Sequence, residues 1–127
     1  MPDAPALDHV GFTVSDYDAA KAFYTAALKP LGWKVIMEFG RSAGFGTEGK
    51  PYLWLSEGKK KTTPHVHLAI GAESRKAVDA FYKAAIKAGG KDNGKPGIRA
   101  DYHPTYYAAF VFDPDGHNIE AVCHKPE

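Results

Sequence analysis

The chain has 127 residues, 44% of them apolar and 24% charged, with a formal net charge of +1, which is the composition of one soluble globular domain. Such a balance supplies no global basic field for nucleic acid, and no apolar run approaches the roughly 20 residues that span a bilayer. The opening "MPDAPALDHV" lacks the basic and then apolar layout of a signal peptide, and the single cysteine, Cys123, excludes an internal disulfide and any CxxC metal knuckle, so a cytoplasmic location and a buried thiol are expected.

In "DHVGFTV", Val10, Phe12 and Val14 alternate with His9, Gly11 and Thr13, the period-2 signature of a strand with one apolar face, from which His9 points away. "SDYDAAKAFYTAALKPLG" reads as a helix: Ser15 and Asp18 are spaced as a variant capping box, Phe23, Ala27 and Leu28 share a face, and Pro30 with Gly32 closes it. Three strands follow in "WKVIMEF", "SAGFGTE" and "PYLWLSE". "GKKKTTP" at 58–64 reads as a solvated linker rather than a phosphate-binding patch. Beyond it, Val66, Leu68 and Ile70 alternate with His65, His67 and Ala69, and "ESRKAVDAFYKAAIKAGG" places Val78, Phe81, Ala85 and Ile86 on one helical face. The Gly- and Pro-rich stretch 91–104 is expected to be a loop with a short strand. "TYYAAFVF" and "HNIEAVCH" read as strands joined by the turn "DPDG", with Glu120 opposite the apolar face of Ile119, Ala121 and Cys123.

The chain repeats itself. "FYTAALKPLG" at 23–32 returns as "FYKAAIKAGG" at 81–90, and the same offset lays "HVGFTV" at 9–14 on "HLAIGA" at 67–72, so that His9 falls on His67. Each half is one βαβββ unit that needs its twin for a core. The reading is therefore a single α+β domain over 1–127, with module one at 5–57, a linker at 58–64 and module two at 65–124.

The paired modules, with "DHVGFTVSD" opening the chain, "HVHLAI" opening the second half and "DPDGHNIEAV" closing it, resemble the vicinal oxygen chelate superfamily. That group contains glyoxalase I, extradiol dioxygenases and the bleomycin and fosfomycin resistance proteins. The resemblance implies a cupped mixed sheet with helices on its outer face and metal ligands projecting from the first and last strands of each module. Carried over by position, those ligands are His9, His67 and Glu120. The fourth corner falls on Trp54, while Glu57 has the opposite parity, so the set departs from the four-ligand glyoxalase pattern and resembles the His, His, Glu set of extradiol dioxygenases.

A lone histidine at a strand edge is more often hydrogen-bonded structure than ligand; equivalent positions in both halves favour the metal. Such a set would hold a divalent Fe, Mn, Zn or Ni ion with open positions, able to chelate two neighbouring substrate oxygens. Where extradiol dioxygenases carry a histidine and then a tyrosine, this chain has His103 nearby and Phe110. Tyr106 or Tyr107 on the same strand is expected to supply a hydroxyl instead; Tyr107, of opposite parity to Phe110 and Phe112, is the one expected to wall the pocket with Trp54, with His103 as a proton relay and Arg99 as a partner for an anionic substrate group. The expected function is a metal-dependent lyase, isomerase or dioxygenase acting on a small molecule. The alternative is a metal-free sequestering protein of the bleomycin-resistance type. A homodimer is expected, with modules exchanged between chains, His9 facing His67 and Glu120 supplied by the other chain; at ~3.3 Å per extended residue, the linker is long enough for that.

Overall fold

Alternating apolar residues give the opening strand of each half one face that must be covered, and in both halves a helix covers the apolar side of the sheet. The computed structural model describes residues 7–58 and 65–127. All of the expected linker except Gly58, and residues 5 and 6 of module one, lie outside the described residues. The first half contains β1 (Val10–Val14), α1 (Tyr17–Leu28), a short 3-10 turn (Lys29–Leu31), β2 (Lys34–Phe39), β3 (Ser42–Thr47) and β4 (Lys50–Glu57); the second contains β5 (His67–Gly71), α2 (Arg75–Lys87), β6 (Lys91–Ile98), β7 (Tyr107–Phe112) and β8 (Asn118–Cys123). Each half folds into a four-stranded sheet, ordered β1-β4-β3-β2 and β5-β8-β7-β6. The first and last strands of each half pair in parallel and the other neighbours are antiparallel. The repeated sequence is thus a repeated fold. No helix among the described residues is long and apolar enough to cross a membrane.

Three local expectations are corrected. Asp16, not the Ser15 and Asp18 pair, caps α1, its carboxylate accepting the Ala19 N–H at 3.1 Å, because Asp16 is the residue left extended (φ −131°) before the helical turn. The 91–104 stretch is mostly strand: β6 occupies eight of its residues, and the register slips between Asp92 and Gly94 and between Gly94 and Gly97 absorb the glycines. Ile86 leaves the core face of α2 and is half exposed, whereas Val78, Phe81 and Ala85 are fully buried.

The doubled "FYxAA" makes the contact between halves. Phe23, Tyr24, Ala27 and Leu28 of α1 and Val78, Phe81 and Ala85 of α2 join one core with Phe45, Leu53, Leu55, Val111, Ile119 and Ala121 from both sheets. Burying each large apolar side chain stabilises the fold by roughly 1.5–3 kcal/mol. Gly90 follows α2 where a Cβ would come 2.8 Å from the Phe23 ring, so the closing glycine of the second repeat lets the first repeat approach. Tyr24, fully buried, donates its hydroxyl to Asp113 Oδ2 at 2.6 Å, fastening α1 to the "DPDG" turn. Phe12 packs on the His117 ring at 4.6 Å, and the Ser15 N–H reaches the Asp115 carboxylate at 3.1 Å.

Candidate functional site

The helix-covered face of each sheet is apolar, so polar groups collect on the other. On β1, Val14 is buried in the core while His9, Gly11 and Thr13 are exposed; on β5, Ile70 is buried while His67, Ala69 and Gly71 are exposed. Gly11 pairs with Trp54 on β4, and Ala69 pairs with Glu120 on β8. Trp54 therefore holds in the first half the place that Glu120 holds in the second, beside the residue two after the histidine. Its indole lies over Gly44, where a Cβ would come within 2.9 Å of two ring carbons, and stacks at 15° on Phe39, which is 62% exposed. This corner offers an aromatic shelf and no metal donor. Glu57 is engaged elsewhere, accepting the Tyr17 N–H at 3.0 Å and bonding Arg41.

The second half assembles donors. Glu120 is only 1% exposed, and burial of a carboxylate requires partners for both oxygens. Its Oε1 stands 2.9 Å from His67 Nε2, and its Oε2 accepts a short hydrogen bond from the Tyr106 hydroxyl. Burial, and secondarily this bond to Glu120, push the Tyr106 phenol up to about 12, so across the neutral range it is a fixed donor. The His67 side chain is 53% exposed, with its ring 6.2 Å from that of Phe110. Adjacent donors on an octahedral ion with bonds of about 2.0–2.1 Å stand about 2.9 Å apart, and Nε2 and Oε1 already have that spacing. The chemistry of the two donors suits a divalent ion, which would take the place of the hydrogen bond that now joins them.

His9 is not joined to that pair within one chain. Its Nδ1 lies 2.7 Å from the Asp8 carboxylate, which also accepts from Lys50, and it lines a cleft of ≈ 210 Å³ with Trp33, Tyr52, Leu68 and Ile70. Among the described residues, no three His, Cys, Asp or Glu side chains form one cluster. His67 and Glu120 come from neighbouring strands of one half, so a chain that supplies one supplies both. His103 lies in the exposed turn before β7, where its Nδ1 accepts the Thr105 N–H at 3.2 Å. Arg99 lies over the Phe110 ring at 5.3 Å.

Tyr107 is not a pocket wall. It faces α2, donating to Asp79 Oδ1 at 2.6 Å with the Arg75 guanidinium 5.2 Å from its ring. Parity opposite to Phe110 was the ground for choosing Tyr107, but Phe110 is the cross-strand partner of Glu120 and lies on the open face. The buried residues of β7's other face are Ala109 and Val111, whose parity Tyr107 shares. Tyr106, the other of the two tyrosines, is the phenol that meets Glu120. The signal was Glu120 itself, whose face selects the even-numbered residues of the antiparallel neighbour.

The Tyr106 bond has a measurable signature. A near-ultraviolet absorbance titration is expected to find phenols ionising near pH 12 rather than near the ordinary value of 10.0, with Tyr17, raised by burial and Glu38, as the second, and Tyr106→Phe removing one step. Between those values the folded protein keeps a proton that the unfolded chain has lost. The stabilisation is therefore complete below pH 10 and is lost as pH rises towards 12. A Tyr106→Phe titration identical to wild type would remove the assignment.

Three comparisons bear on this arrangement. The family model described as the Glyoxalase/Bleomycin resistance protein/Dioxygenase superfamily matches residues 6–121. A search of the curated proteins finds no match. Among solved structures, a glyoxalase/bleomycin resistance protein from Albidiferax ferrireducens T118 superposes with a TM-score of 0.77 at 28% identity, over 91% of this chain and 97% of that one. A glyoxalase/bleomycin resistance protein/dioxygenase family enzyme from Burkholderia phytofirmans PsJN (TM-score 0.72, 21% identity, 94% and 98% covered) shares the fold. So does a glyoxylase/bleomycin resistance protein/dioxygenase domain from Frankia sp. EAN1pec (TM-score 0.71, 23% identity, 97% and 100% covered).

Proposed function

This chain belongs to the glyoxalase/bleomycin resistance protein/dioxygenase superfamily, and from that premise we propose that it is a metal-dependent enzyme that holds a small molecule by two adjacent oxygens. The observation that carries the proposal is the buried Glu120 carboxylate, set 2.9 Å from an exposed imidazole nitrogen and locked from behind by Tyr106. A divalent Fe, Mn, Zn or Ni ion would be held by His67 Nε2 and Glu120 Oε1, with His9 of a second copy as third ligand in a homodimer. When bound, it supplies Lewis-acid polarisation of the two substrate oxygens. The protein does the rest. Tyr106 fixes Glu120 Oε2 so that one oxygen stays aimed at the site; Phe110 bounds the ring of His67; Trp54 and Phe39 offer a flat apolar wall. His103, exposed on the rim, remains the candidate proton relay.

The exposed Phe39, stacked on the half-buried Trp54, also favours a second reading, metal-free sequestration of an aromatic compound. Elemental analysis of protein purified without chelators separates the two. The enzyme reading expects about one divalent ion per site, with O₂ consumption on catechols if the ion is iron and none if it is zinc or nickel. A metal-free protein that turns over no compound with adjacent oxygens yet binds an aromatic one tightly would establish sequestration instead.

A further inference from the structure

We propose that the substrate carries a carboxylate, seated on Arg99, on the far side of the Phe110 neighbourhood from the oxygens held at His67 and Glu120. This deepens the preceding reading and rests on it for the location of the substrate cup.

The residues around Arg99 are arranged to hold a guanidinium still. Strand β6 slips register against β7 on either side of Gly94, and within and at the end of the second slip two carbonyls turn to one side chain: Arg99 Nη2 donates to Lys95 O at 2.7 Å and Nη1 donates to Gly97 O at 2.9 Å. The strand beneath lacks side chains where the guanidinium lies. A Cβ at Gly94 would come 3.1 Å from Nη2, and one at Gly97 would come 3.3 Å from Nη1. Gly94 also has φ +151°, a conformation L side chains rarely adopt. Over the other side sits the Phe110 ring, 5.3 Å from the guanidinium carbon. Two bulges, two glycines and an aromatic ring thus hold one cation.

Among the described residues, that cation has no acidic partner. None of the ion pairs among the described residues includes Arg99. Glu120, directly across from Phe110, has its oxygens committed to His67 and Tyr106. Two of the five guanidinium N–H groups are used on carbonyls, which leaves three for an acceptor from outside. A planar fork with free donors matches a carboxylate better than any neutral group does. Arg99 and His67 both neighbour the Phe110 ring, at 5.3 and 6.2 Å from its centroid, so the guanidinium carbon and the imidazole ring lie at most about 12 Å apart, within the reach of one small substrate.

The test uses the full chain freed of metal by chelator, with benzoate and its neutral isostere benzamide as probes, followed by shifts of the Arg99 Nε–H and Phe110 amide resonances. Wild type is expected to bind benzoate at least about tenfold more tightly than benzamide. Arg99→Gln should abolish that preference, and Gly97→Ala, which keeps the charge but crowds Nη1, should weaken benzoate binding. Equal binding of the two probes by wild type, unchanged benzoate binding by Arg99→Gln, or no shift with either probe overturns the proposal. Should Arg99→Gln fail to fold, the two probes on wild type and Gly97→Ala still decide. Because no metal is present, the outcome is independent of the ion: protein that binds no metal but prefers benzoate keeps the anion subsite, and protein that binds metal but ignores benzoate loses only the subsite.

Discussion

Glu120→Gln is expected to strip the protein of its divalent ion, with an apparent affinity at least about 100-fold below wild type and turnover lost with it. Glutamine keeps the volume of the side chain, and its amide oxygen can still accept from Tyr106. What disappears is the negative charge beside His67 Nε2, 2.9 Å away, and with it the anionic donor that offsets the desolvation of a bound cation. The fold should survive. His67 is half exposed and can turn to water, so the stability change is expected to be about 1–2 kcal/mol, typical of one hydrogen bond weakened rather than of a buried charge orphaned. Metal content after purification without chelators, read beside a denaturation curve, separates these effects. A well-folded Glu120→Gln protein with full metal occupancy would place the ion elsewhere.

Mixing variants is expected to restore about half of the metal when His9→Ala chains are combined with Glu120→Ala chains, each inactive alone. The prediction follows from the separation within one chain: His67 and Glu120 touch across β5 and β8, whereas His9 is bound to Asp8. If module one of each chain completes module two of its partner, a heterodimer concentrates both lesions in one site and leaves the other intact. The contact between His67 and Glu120 supplies a control. Chains carrying His67→Ala and Glu120→Ala are both damaged in module two, so their mixture should recover nothing. No recovery in a verified His9→Ala and Glu120→Ala heterodimer would mean that modules are not exchanged, and a strictly monomeric protein at micromolar concentration would exclude a partner's His9 altogether.

Patterns of period 2 and 3.6 were legible where an element has one buried face, as β1, β5 and the two helices do, and burial writes itself into the alternation of Val10, Phe12 and Val14 or of Leu68 and Ile70. The offset between "FYTAALKPLG" and "FYKAAIKAGG" then implied two copies of one unit, since a sheet with one apolar face and one helix cannot bury enough surface alone. The same alternation turned His67 and Glu120 to the open face, because side chains on a strand can take only two directions. Strand β7 defeated that argument. Both of its faces are apolar or aromatic, so hydrophobicity could not tell the core from the cup, and only the pairing of Phe110 with Glu120 brings Tyr106 to the carboxylate and sends Tyr107 to α2. Strand β6 has no alternation to read; it is a strand because the edge of β7 needs hydrogen-bond partners, a demand made by the sheet rather than by the residues of "KDNGKPGI". The cradle of Arg99 depends on those same slips. The position of His9 relative to His67 lies further still from local pattern, since it depends on how two separately closed sheets meet, which is set by the packing of α1 on α2 and not by the periodicity of any one element.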